Sequence, residues 1–129
     1  MIDLWGPEIS TVTERSPLSI LKEQAALLGE KTKGVVVAEV RTHSSEGEIC
    51  HEFRVVAPAL DYSFVLFSLS GGGAELYPLK VLSNSTEKLK PLGDRRSLRD
   101  EAALLSFLKA ALSSEKAKRV VSALIAQSS

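Results

Sequence analysis

The side chains best suited to chemistry cluster in one stretch: His43, Cys50 and His51, with Glu46, Glu48 and Glu52 beside them. Imidazole, thiolate and carboxylate are the ligands of zinc and the working parts of a thiol nucleophile. Their spacing argues against both uses. Residues 48–56 read as a strand, so adjacent side chains leave on opposite faces. His51, Phe53 and Val55 then share one face, and Cys50, Glu52 and Arg54 the other. No C-x-x-C or H-E-x-x-H pair is present. A Cys–His couple must converge in a cleft with an orienting third group. Cys50 and His51 diverge, which leaves only His43, across a hairpin, within reach of the thiol. The expectation is two strand histidines and a buried, unreactive cysteine. No metal ligand, cofactor-binding residue or catalytic residue is assigned.

Three other patterns invite a function. Gly71-Gly72-Gly73 resembles a phosphate loop in composition, but no Lys-Ser/Thr follows and no helix opens there, so a hairpin tip is expected. Lys88, Lys90, Arg95, Arg96 and Arg99 form a basic segment. With Lys116, Lys118 and Arg119 it offers a cationic patch for nucleic acid or another polyanion. It contains no aromatic residue, so base stacking is not supported. Trp5, the sole tryptophan, suits a partner anchor or a cap on the core edge. The carboxylates show no recurring pair that would face one cleft.

These residues are positioned by four expected strands at 35–43, 48–56, 63–69 and 75–82. The runs are rich in Val, Phe, Tyr and Thr and bounded by turn residues. Their links are too short for parallel crossovers, so the sheet is an antiparallel meander in order 1-2-3-4. Pro78 falls inside the fourth run, which suits an edge unless a further strand adds to it. Ser16-Pro17 opens a first helix, with Leu18, Leu21, Ala25 and Leu28 on one face and Gly29 as its stop. Ser97, with Asp100 three residues on, opens a second, and Ser113-Ser114 a third. Residues 1–15 form an arm or an additional strand. The order α-ββββ-αα gives an α+β fold in one domain spanning 1–129.

Composition agrees. Hydrophobic residues make up 44% and charged residues 25%, a globular balance, and 16 basic side chains offset 16 acidic ones. Neutrality argues against nucleic-acid binding by bulk charge. One cysteine precludes an internal disulfide, and there is neither a membrane-length apolar run nor the start of a signal peptide. A cytoplasmic location is expected.

Pro17 to Ala25, Val56-Ala57-Pro58-Ala59-Leu60 with Tyr62, and Ser113-Ser114-Glu115-Lys116 through Leu124-Ile125-Ala126-Gln127 resemble a group of small bacterial proteins without an assigned activity. That resemblance, spread over most of 17–127, implies a bacterial, stand-alone, single-domain protein.

Together these readings favour a non-enzymatic protein-interaction module over an enzyme. The alternatives are polyanion binding through the 88–99 segment and last helix, or a small-ligand pocket between sheet and helices. Residues 63–69 are apolar at both parities, Phe64 and Leu66 against Val65, Phe67 and Leu69. A half-solvated sheet should alternate instead. Trp5, Val65, Phe67 and Leu69 are therefore the expected interaction surface, for a protein partner or for a second copy in a homodimer.

Overall fold

The computed structural model describes residues 2, 4, 5, 15–86 and 97–129. Three helices, α1 (Pro17–Lys31), α2 (Glu101–Leu112) and α3 (Glu115–Gln127), accompany five strands. The strands are β1 (Val37–Ser45), β2 (Glu48–Ala57), β3 (Tyr62–Gly72), β4 (Leu79–Asn84) and β5 (Ser97–Leu98). They form one antiparallel sheet in order β1-β2-β3-β4-β5. The fold is α+β, and the meander is extended by a fifth strand. The arm or additional strand expected in residues 1–15 falls mostly outside the described residues.

Local chemistry explains the element ends. Ser16 Oγ accepts from the Ser19 N–H at 3.1 Å, with Pro17 at the first helical position. α1 runs past Gly29 to Lys31, two residues beyond the expected stop. The reversal is made by Thr32 and Gly34: Thr32 Oγ1 accepts from the Val36 N–H at 3.1 Å, and Gly34 takes φ +83°. Glu46 and Gly47, both at positive φ, close the β1–β2 hairpin between Ser45 and Glu48. Ser114 caps α3 by accepting from the Ala117 N–H at 3.1 Å.

Two expectations about the sheet are corrected. The glycine stretch is not a hairpin tip. Gly71 and Gly72 continue β3 and pair with Ile49 and Glu48. A Cβ at Gly71 would lie 2.9 Å from Leu79 Cδ2, so close approach of neighbouring strands requires the glycine there. Strand four begins at Leu79, after Pro78, and is not an edge, because Leu79 and Lys80 pair with Leu98 and Ser97. Ser97 is thus a strand residue rather than a helix cap. The cap of α2 is Asp100, whose carboxylate accepts from the Ala103 N–H at 2.9 Å.

The decisive feature is a register shift in the centre of the sheet. Phe53 pairs with Phe67 and Arg54 with Val65, so Leu66 has no partner on β2. Directly opposed residues share a face. Phe64 opposite Val55 and Phe67 opposite Phe53 therefore point the same way, although they are an odd three positions apart. Ser85 satisfies the freed backbone, its N–H donating to Leu66 O at 2.8 Å and its hydroxyl to Val65 O at 3.0 Å.

The core lies on that face. Phe67 stacks on Phe53 with ring centroids 5.1 Å apart and meets the Phe107 ring of α2 edge-on at the same distance. Ile20 and Leu21 of α1 and Leu104 of α2 are fully buried beside them. The opposite face carries Glu39–Arg41 and Glu52–Arg54 ion pairs and is polar, as a half-solvated sheet should be. The second apolar face expected from 63–69 does not exist.

Phe67→Ala should lower unfolding free energy by about 3–5 kcal/mol, the range for deleting a buried aromatic. Val65→Ala, on the polar face, should cost clearly less. Urea denaturation of both variants checks this, and equal costs would contradict the change of parity at Leu66.

Candidate docking cleft

The expected site residues do not assemble into one surface. Phe67 and Leu69 are fully buried within a single chain and form part of the core. Val65, opposite Arg54, is half-buried on the polar face, and Trp5 is exposed. The interaction surface expected from these four residues is therefore corrected for Phe67 and Leu69, because the bulge turns them inward. Lys88, Lys90, Arg95 and Arg96 lie outside the described residues, and Arg99 is exposed just before α2.

The hairpin residues divide as the alternation predicted. His51 points into the core, and a 2.9 Å hydrogen bond joins its Nδ1 to Thr42 Oγ1. Burial lowers its pKa from the usual 6.5 by disfavouring the charged ring. Ser16, Pro17 and Leu18 close over it around a small cavity of about 210 Å³. Cys50 lies on the opposite face beside His43, its direct cross-strand partner. It is half-buried rather than buried, since that face is solvated. Among the described residues no three of His, Cys, Asp and Glu come together as a metal site would require.

A larger concave feature lies elsewhere among the described residues, and helix placement creates it. α1 packs on β1, one edge of the sheet, while α2 starts beside β5, at the other edge, and reaches the central strand β3 through Phe107. At their beginnings the two helices are tied, the Arg15 N–H donating to Glu101 Oε1 at 3.1 Å. Further along, both contribute their C-terminal halves to a cleft of about 460 Å³ over the central strands. Its base reaches Phe53 and Val55 of β2 and Leu66 of β3, side chains that are themselves almost completely covered. Leu27 and Leu28 line it from α1, and Leu105, Leu108 and Leu112 from α2. Ala117 and Val121 of α3 complete it.

Leu27 and Leu105 are 41% and 42% exposed. The other polar and charged lining residues are few: Gln24, Lys31, Lys109 and Ser113. Among the described residues no carboxylate lines the cleft, and neither lysine belongs to an ion pair. An apolar concavity with few polar groups can hold a helix or a small amphiphile.

Sequence periodicity did not isolate this cleft. Leu27 and Leu105 fall among the apolar helix positions like any core leucine. The usable signal was the width of the two stripes, broader than one buried face needs.

Comparison with protein-family models, with curated proteins and with solved structures gave no match. No helix among the described residues is long and apolar enough to cross a membrane.

The His51 environment gives a pH prediction. Its folded pKa lies below its unfolded value of about 6.5, so on acidification the unfolded chain takes up this proton first. The contribution is fully present above about pH 6.5 and is lost as pH falls through the folded pKa. Urea midpoints should decline across that window in the wild type and decline less in His51→Gln. Identical profiles for the two proteins would rule out a His51 origin.

Proposed function

We propose that the protein is a non-enzymatic protein-interaction module of the bacterial cytoplasm, and that it docks a partner in the cleft between α1 and α2. One observation carries this reading: Leu27 of α1 and Leu105 of α2 both present exposed apolar surface to a cleft based on Phe53, Val55 and Leu66. Neither leucine is needed to close the core, which is filled by Phe53, Phe67 and Phe107. Exposed apolar groups in a concave setting mark interaction sites more than scattered surface leucines do.

A second reading has its own support. The volume of about 460 Å³ falls within the size range of small-molecule sites, so an amphiphilic metabolite is the alternative occupant.

Leu27→Asp with Leu105→Asp tests the cleft. Because both positions are substantially exposed, stability should change by no more than about 1 kcal/mol, close to the range for surface substitutions. A partner that co-purifies from the source cells with the wild-type protein should be lost with the double variant. Retention of that partner by a folded variant would remove the cleft as the docking site.

A further inference from the structure

We propose that the occupant of the cleft is an amphipathic helix of a protein partner that carries carboxylates on both shoulders of its apolar stripe. This rests on the docking reading above and adds the chemistry of the partner. Three observations lead to it.

The first is length. The α1 wall extends from Gln24 to Lys31 and the α2 wall from Leu105 to Ser113. At about 1.5 Å per residue these walls are each about 10–12 Å long. That matches two turns of a docked helix, whose anchors at i, i+3 or i+4, and i+7 span about 10 Å. The apolar lining offers room for such anchors between Leu27 and Leu28 on one side and Leu105 and Leu112 on the other.

The second is the placement of charge. Lys31 lines the cleft from α1 and Lys109 from α2, so each wall contributes one cation. Each lysine sits in the last turn of its helix. There the helix end contributes about half a negative charge. Two full positive charges outweigh two half charges of opposite sign, and the cleft keeps a net positive field. Among the described residues no carboxylate lines the cleft, so the lining itself carries only positive charge.

The third is availability. The ion pairs among the described residues use Arg15, Arg41 and Arg54, leaving Lys31 and Lys109 to an incoming group. A cation on each wall selects a ligand with acidic groups on both flanks of an apolar ridge. A lysine-flanked helix of equal hydrophobicity would meet like charge on both sides.

The test uses two fluorescein-labelled, helix-stabilised peptides of about fourteen residues, with leucines at i, i+3, i+4 and i+7. One has Glu on both shoulders of the stripe and the other has Lys. By fluorescence anisotropy at low salt, the Glu peptide should bind the wild-type chain at least about fivefold tighter, a preference that narrows as salt screens the charges. Lys31→Glu with Lys109→Glu should abolish or reverse that preference, and Leu27→Asp with Leu105→Asp should weaken both peptides. Equal affinities, with both peptides lost in the leucine variant, would overturn the charge assignment while leaving a helix-docking cleft in place. Failure of both peptides to bind, or binding that survives the leucine changes, would overturn the proposal outright. If dodecanoate raises the melting temperature of the wild type but not of the leucine variant, and neither peptide binds, the occupant is a small amphiphile and the helix proposal is overturned.

Discussion

The fold depends on one extra residue in β3. If 62–72 alternated regularly against β2, Phe64 and Phe67 would face opposite sides of the sheet. Half of the strand's aromatic surface would then point into water. The bulge at Leu66 removes that conflict by resetting the parity, and Phe53, Phe67 and Phe107 can meet in one stack. An irregularity also leaves backbone groups outside the ladder, and buried polar groups without partners are costly. Ser85, just past β4, supplies the missing bonds to Val65 and Leu66. The one-sided core, the polar outer face and the helix positions all follow from this parity change.

What could be read from the sequence is what short-range chemistry determines. Ser16-Pro17 and Ser114 cap helices because a hydroxyl three residues before an orphan N–H is a local arrangement. Gly47 closes a hairpin because positive φ favours it. The alternation in 48–57 separates His51 from Cys50 because polar and apolar residues there mark the two faces. Residues 64–67 are Phe, Val, Leu and Phe, so no polar residue reports which face each occupies, and the bulge leaves no trace in the pattern. The start of α2 was misread because Ser97 and Asp100 are both competent caps, three residues apart. Only the pairing of Ser97 and Leu98 with β4 separates them.

The cleft belongs to a third category, properties that no segment holds by itself. In sequence, α1 and α2 each show only a wide apolar stripe, which does not say where the excess is exposed. Their separation arises because α1 leads into β1 at one edge of the sheet while α2 leaves β5 at the other. Strand β5 is only two residues long, yet by pairing with β4 it fixes where α2 begins. Phe107 on Phe67 and the Arg15–Glu101 hydrogen bond then hold α2 against the sheet and α1.

The same geometry bears on which surface is free to bind. The molecule presents two further features that associate in other proteins, an open sheet face and a long edge strand. The open face carries Glu39, Arg41, Glu52 and Arg54 as two ion pairs, so a partner would have to desolvate charges already matched within the chain. Edge strand β1 includes Glu39 and Arg41 of that set, and charged side chains on an edge oppose strand addition. The cleft differs in both respects. Its accessible surface is mainly leucine, and its two lysines have no carboxylate beside them in the lining. Desolvating it costs less than desolvating the open face, and occupation by an acidic helix would supply charges that the chain itself does not place there.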